Sequence, residues 1–180
     1  MRGVVVAGRR RVLTVLSSVL AVGCGAPTSE LPPSQPHPIL GRAVGFSLPD
    51  DQGQLRAVPD AAYQATVLDF WATDCAPCAR SVPALAARRA ALAGAGVQLH
   101  FVGVLRRDES LKAGRQALDA WGTDTPFLAD RDGGVQRRLD LSLLPATLVL
   151  DAGGHARWLA GANTTTEQIV SAATQIASGD

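Results

Sequence analysis

The chain has 180 residues, with 17 Lys and Arg against 16 Asp and Glu, 47% hydrophobic and only 4% aromatic residues. That length fits one domain of about 150 residues plus an extension, enough to bury roughly 70% of its unfolded surface without a disulfide scaffold. The near-neutral charge and sparse aromatics exclude a basic or base-stacking nucleic-acid binder, and three cysteines are too few for a disulfide-rich fold.

The first segment reads as an address. Arg2, Arg9, Arg10 and Arg11 precede an uncharged, largely apolar run over residues 12–22, too short to cross a bilayer, which takes about 20 residues. A basic start, a short apolar stretch and small residues at its end describe a signal peptide. The ending Leu20-Ala21-Val22-Gly23-Cys24 resembles a bacterial lipobox, with Ala21 where leucine is commonest, so residues 1–23 read as a lipoprotein signal peptide and Cys24 as the lipidated residue. Its removal leaves 13 basic against 16 acidic residues, so a membrane hold would rest on acyl chains rather than on a polybasic patch. Residues 25–40 carry five prolines in sixteen positions, which predicts an extended tether of roughly 50 Å at about 3.1 Å per residue, with His37 solvated within it. The domain is then expected over residues 41–180. Export would place it in an oxidising compartment, where a dithiol needs a reason to exist.

Within the domain, residues 46–48 and 55–58 read as short strands around the turn Asp50-Asp51-Gln52-Gly53. Residues 66–71 form a nearly continuous apolar run, as in a strand covered on both faces. A helix follows over residues 76–93, with a kink expected at Pro83. Residues 97–104 read as a buried strand, 109–121 as a helix, 125–128 as a short extended piece and 135–139 as a brief helix. Residues 146–150 and 155–159 flank Asp151-Ala152-Gly153-Gly154, a hairpin signal, and residues 164–177 close the chain as a helix. Alternating strands and helices with a terminal hairpin predict an α/β fold with a mixed sheet.

The chemistry sits at Cys75-Ala76-Pro77-Cys78, directly after the apolar strand and opening the next helix. Two cysteines three apart can form a small-loop disulfide, and the partial positive charge of a helix N-terminus favours the thiolate of the first. The same spacing also serves as half of a zinc site or as a purely structural disulfide. The chain has no second such pair, and its histidines fall in the tether (His37), a strand (His100) and the hairpin (His155).

The segment from Val67 through Asp69, Trp71 and Asp74 to Cys78 resembles the active-site stretch of thioredoxins. The longer frame resembles the membrane-anchored TlpA/ResA-type thiol-disulfide oxidoreductases: Phe46-Ser47-Leu48-Pro49, Phe101-Val102-Gly103-Val104, Pro126-Phe127-Leu128-Ala129-Asp130, and Leu144-Pro145-Ala146-Thr147 onward to Gly154. The resemblance covers roughly residues 40–178. It implies a thioredoxin fold, a central mixed β-sheet flanked by helices with extra N-terminal strands. It also implies an oxidoreductase with no cofactor beyond the redox-active Cys75–Cys78 pair, with protein disulfides or dithiols as substrates and a membrane-embedded thiol electron donor. Reduction of protein disulfides outside the cytoplasm is the expected direction, with cytochrome c maturation as one destination that no residue here names.

Residue by residue, the resemblance makes Cys75 the nucleophile, Cys78 the resolving thiol and Pro145 a cis-proline that presents an extended substrate, with Leu144 before it at the groove. Asp69 matches the buried aspartate that exchanges a proton with the second cysteine, and also reads as a carboxylate paired at a strand edge. Trp71 matches the tryptophan beside the active site, and equally reads as a core aromatic. Asp74 stands where this group usually has tryptophan. Its negative charge is expected to oppose the helix dipole, disfavour the Cys75 thiolate and make the pair more reducing, while removing part of the apolar docking surface. The pairs Arg88-Arg89, Arg106-Arg107 and Arg137-Arg138 read as solvated faces, and Trp121 and Trp158 as packing residues. The alternative from another class is a copper-binding chaperone using Cys75, Cys78 and a histidine. A peroxidase setting needs threonine three residues before the nucleophile, and Thr73 is two before Cys75.

Overall fold

A computed structural model describes residues 30–179, besides the isolated Gly3. The signal-like segment, Cys24 and residues 25–29 lie outside the described residues. The hairpin β1 (Phe46–Pro49) and β2 (Leu55–Val58) closes around Asp50, whose carboxylate accepts the Gln52 and Gln54 N–H groups at 3.0 and 2.8 Å and the Arg56 Nε–H at 2.9 Å. There follow β3 (Ala65–Trp71), α1 (Cys78–Ala86), α2 (Arg89–Gly94), β4 (Val97–Leu105), α3 (Leu111–Ala120), β5 (Phe127–Arg131), α4 (Gly134–Arg138), β6 (Ala146–Asp151), β7 (Ala156–Ala160) and α5 (Thr166–Ser178). The main sheet has the order β5-β4-β3-β6-β7, with β3, β4 and β5 parallel and β6 and β7 antiparallel. Both the mixed sheet and the extra N-terminal strands are as expected.

Every residue of β3 is buried, which is what its unbroken apolar run requires of a central strand. Side chains alternate between two cores. Val67 and Trp71 face a layer filled by α1, α2, α3 and α5, while Leu68 and Phe70 face one filled by the β1–β2 hairpin, α4 and the N-terminal stretch. Helix starts carry their signals: the Ser110 hydroxyl accepts the Ala113 N–H at 3.2 Å, and Thr165 and Gln168 form a reciprocal capping box.

Three expectations need correction. The single helix over residues 76–93 is two helices, and the break falls at residues 87–88 rather than at Pro83. Pro83 lies inside α1, where its carbonyl still accepts the Ala87 N–H at 3.1 Å. The extended piece at 125–128 is displaced to Phe127–Arg131, set by pairing of Phe127 with Phe101 of β4.

The largest difference concerns the proline-rich stretch, which is no free tether over its second half. The strand β7 is outermost in the sheet, so its outward amides and carbonyls need partners. The Gln35 N–H donates to the Leu159 carbonyl at 2.8 Å, the Gly41 N–H to Ala156 at 2.7 Å, and the Ala156 N–H to Arg42 at 2.9 Å. The Trp158 indole N–H reaches the Pro32 carbonyl at 2.8 Å, and Ile39 is buried in the second core. The packed unit therefore begins near residue 32 rather than at 41. His37 is not merely solvated, since its Nδ1 accepts the Ile39 N–H and its Nε2–H donates to the Asp140 carbonyl, both at 3.1 Å. Among the arginines read as solvated, Arg89 donates to the Leu99 carbonyl and the Thr125 hydroxyl, and Arg138 to the Gly45 carbonyl.

Two glycines admit the aromatic stack at the end of β3. Trp71 packs edge-on against Trp121 and Phe127, with ring centres 5.3 and 5.4 Å apart. A Cβ on Gly103 would lie 3.0 Å from the Trp71 ring, and one on Gly114 would lie 2.8 Å from the Phe127 ring. Alanine at Gly114 would ordinarily favour the helix by about 1 kcal/mol. Here Phe127 is held by Trp71 on one side and the Arg115 guanidinium on another. Gly114→Ala should therefore destabilise the domain by about 1–3 kcal/mol in urea unfolding. A variant as stable as the parent would mean that the ring yields freely.

Candidate active site

Because β3 is central and ends at Trp71, the chain leaves the sheet at one end and must turn at once to enter α1. The Cys75 N–H donates to the Ala72 carbonyl at 3.1 Å, tightening that turn, and Pro77, with φ of −63°, precedes the first helical residue, Cys78. Cys75 and Cys78 are joined as a disulfide, with Cα atoms 5.2 Å apart. The Cys75 sulfur is partly exposed and accepts the Cys78 N–H at 3.2 Å, whereas Cys78 is fully buried. Once the bond is reduced, the same first-turn amide and the helix dipole would stabilise a Cys75 thiolate.

Asp69 lies two residues before Trp71 on the same side of β3, in the layer that also holds Cys78. It is 1% exposed. Its Oδ1 accepts the Thr147 hydroxyl at 2.7 Å from the directly paired position on β6. Its Oδ2 has no partner. Burial pushes the carboxyl up to about 7, and the Thr147 hydroxyl only partly opposes that shift. Of the two readings of Asp69, a carboxylate paired at a strand edge does not fit this central position. A neutral acid poised near pH 7 does.

The remaining expected residues separate. Pro145 follows a cis peptide bond from Leu144 and is buried at the floor of a cleft of about 390 Å³, shared with Leu144, His37 and Asn163. Leu143, the neighbour before Leu144, is 80% exposed. Of the two readings of Trp71, the core aromatic holds: it is fully buried in the aromatic stack, because its parity on β3 turns it into the core, and so it does not line a substrate surface as the resemblance implied. It supports the site from beneath and touches no docked protein.

Asp74 is exposed beside Cys75, as its place in the loop requires, but it is not an isolated charge. The Arg106 guanidinium donates to its carboxylate at 2.7 Å. Asp74 therefore acts at this rim as a paired carboxylate and not as the lone charge read from the sequence. Arg106 also lies 3.7 Å from Glu109, whose other oxygen accepts the Arg106 backbone N–H at 2.7 Å. The Thr73 hydroxyl donates to that same Glu109. Sequence reading missed this group because Arg106 and Asp74 are 32 residues apart. The one usable signal was that strand β4 runs parallel beside β3, so the loops leaving both strands meet at the same end. The copper alternative would need a third ligand, and among the described residues no group of three or more His, Cys, Asp or Glu comes together.

A model of the AhpC/TSA family matches residues 39–159. The chain is 30% identical over 112 residues to the thiol-disulfide oxidoreductase ResA of Bacillus subtilis, covering 62% of this chain and 61% of that protein. It is 30% identical over 115 residues to the thioredoxin-like protein YneN of the same species, covering 63% of this chain and 65% of that protein. The chain thus spans less than two thirds of the length of either relative. StoA from Bacillus subtilis superposes with a TM-score of 0.61 at 20% identity, over 72% of this chain and 96% of that one. The thioredoxin domain of a thiol-disulfide oxidoreductase from Bacteroides vulgatus gives 0.60 at 16% identity, over 73% and 92%. These neighbours show a thioredoxin-like fold.

The buried acid predicts a pH signature. A carboxyl near 7 in the native state and about 3.9 unfolded stays protonated in the fold while the unfolded chain has already ionised. Between those values, raising the pH therefore lowers stability, and the loss is complete above pH 7. His100 acts in the opposite sense. Burial, with Arg89 adding to it, holds its imidazole at about 4, so stability is lost as pH falls from about 6.5 towards 4. Asp69→Asn removes only the first effect. The stability of the variant relative to the parent should rise from pH 4 to 7 and then level off, at about 1.4 kcal/mol per pKa unit. Urea melts at fixed ionic strength measure it, and a difference that does not change with pH would mean that Asp69 is ionised throughout.

Proposed function

Because this chain belongs to the AhpC/TSA family and sets a half-exposed sulfur and a buried one at the start of a helix above a buried acid, we propose that it is a thiol-disulfide oxidoreductase that reduces protein disulfides outside the cytoplasm. The observation that carries the reading is the inequality of the two sulfurs, Cys75 reachable and Cys78 enclosed. Its relatives agree with it: ResA of Bacillus subtilis and of Geobacillus kaustophilus are both named as thiol-disulfide oxidoreductases.

In the reduced protein the Cys75 thiolate attacks one sulfur of a target disulfide. A bond forms between Cys75 and that sulfur, the target S–S bond breaks, and the other target sulfur leaves as thiolate. Cys78 then attacks the Cys75 sulfur. The mixed disulfide breaks, the second target sulfur leaves, and two electrons have passed to the target as Cys75 and Cys78 close to the bond seen here. Cys78 must lose its proton inside the core. Asp69, at about 7 and with Oδ2 unpartnered in the same layer, is the acceptor for that proton near neutral pH. Pro145 and Leu144, which line the cleft at the cis-peptide, hold the target backbone. A peroxide-reducing role is disfavoured by Thr73, whose hydroxyl is committed to Glu109.

A dithiol donor embedded in the membrane would return the pair to its reduced form, and lipid on Cys24 would keep the domain at that membrane. Among the described residues no helix is long and apolar enough to cross a bilayer. Cys24→Ala should therefore move the protein from the membrane fraction to the soluble fraction. A wild type that fractionates as soluble removes the anchor from the proposal.

Trapping tests the chemistry. Cys78→Ser should leave attack intact and block resolution, so that covalent complexes with target proteins accumulate and dissolve in dithiothreitol. Cys75→Ser should yield none. Complexes that form equally through either cysteine would overturn the assignment of the nucleophile.

A further inference from the structure

At the rim of the active site, one guanidinium sits between carboxylates from two loops. The strand β4 runs two residues past the last residue paired with β3, Gly103 opposite Trp71, so Arg106 projects over the end of the sheet where residues 72–75 turn towards the helix. Its Nη1 donates to Asp74 at 2.7 Å and its Nη2 lies 3.7 Å from Glu109. Glu109 has a side chain only 12% exposed, and it fixes this geometry by accepting both the Arg106 backbone N–H and the Thr73 hydroxyl. The two loops are thus tied together by Asp74, Arg106, Glu109 and Thr73, immediately before the nucleophilic sulfur.

We propose that Arg106 is a positioning residue for thiol exchange, holding the Asp74 carboxylate and offsetting its charge so that the Cys75 thiolate forms near neutral pH. The inference rests on the reading of Cys75 as the nucleophile. An ion pair exposed as this one is, with side chains 62% and 66% accessible, contributes little to folding. Its effect falls on the neighbouring sulfur. With Arg106 present, Asp74 and Glu109 leave one uncompensated negative charge at this rim, and without it they leave two. On the elements flanking Cys75, the other charged side chains are Asp69 on β3 and Arg80 in the first turn of α1. The cis-proline loop carries Asp140 at its start, where its carbonyl accepts from His37, and the uncharged Ser142, Leu143, Leu144 and Pro145 towards β6. No second cation is paired with Asp74 among the described residues, so no other group takes over the role of Arg106.

The test uses the full chain carrying Cys78→Ser, so that Cys75 titrates without its partner. Cys75 is followed by thiolate absorbance and by iodoacetamide labelling of its peptide, read by mass spectrometry across pH 5–10. Adding Arg106→Gln should move the titration to higher pH and slow labelling below its midpoint by about three- to tenfold. Arg106→Lys, which keeps the charge, should stay within about twofold of the parent. Adding Asp74→Asn to Arg106→Gln should restore the parent profile, because the charge that Arg106 offsets is then gone. Circular dichroism verifies that each variant is folded. A profile unchanged by Arg106→Gln, a failure of Arg106→Lys to preserve it, or a failure of Asp74→Asn to restore it would each overturn the proposal. A wild-type protein that reduces no model disulfide would instead overturn the oxidoreductase reading, while the Cys75 titration would still decide the role of Arg106.

Discussion

A carboxyl group in the middle of a fully buried strand needs something to meet it, and in this fold one hydroxyl does. The bond from Thr147 to Asp69, at 2.7 Å, joins the strand that leads into the cysteine pair to the strand that follows the cis-proline. The segments that carry the cysteine pair and the cis-proline are thereby referred to a single point in the core. The cost of enclosing Asp69 is met by favouring its protonated form rather than by an ion pair, since burial raises its pKa to about 7. The same neutral acid that lets the core close is then available to exchange a proton. The structural and chemical requirements meet in one side chain because the second cysteine is buried in the same layer.

The electrostatics of the two sulfurs divide in the same way. Cys75 lies at the surface, where a helix start and a ring of charged side chains act on it through partial solvent. Cys78 is fully buried in the layer that Asp69 also faces. Two identical side chains three residues apart thus stand in different surroundings, one solvated and near charge, the other enclosed.

Much of the fold could be read from local pattern. The apolar run that became β3, the turn around Asp50, the Gly-rich hairpin before β7 and the capped start of α5 each carry their cause within a few residues. The cysteine pair and the acid six positions before it were equally visible. What escaped was long-range. The orientation of Trp71 depends on which face of β3 takes the odd positions, and that is settled only by what packs there. The partnership of Arg106 with Asp74 depends on two strands ending side by side. The docking of residues 32–44 was hidden because proline content reads as a free spacer. Prolines lack their own N–H, but the Gln35, Gly41 and Val44 amides between and after them remain free to pair with a neighbouring chain segment.

That docking has a further consequence. The stretch that lies along β7 continues into the hairpin whose turn residue Asp50 bridges to Leu128 on β5, so a single N-terminal run reaches both outer strands of the sheet. Open strand edges recruit other strands. A chain trimmed to residue 41, where composition alone would place the start of the domain, would lose the Gln35 contact and the Ile39 anchor. It would bare part of a row of amides and carbonyls, so the proline-rich run closes an edge of the sheet that would otherwise be open to a neighbouring strand.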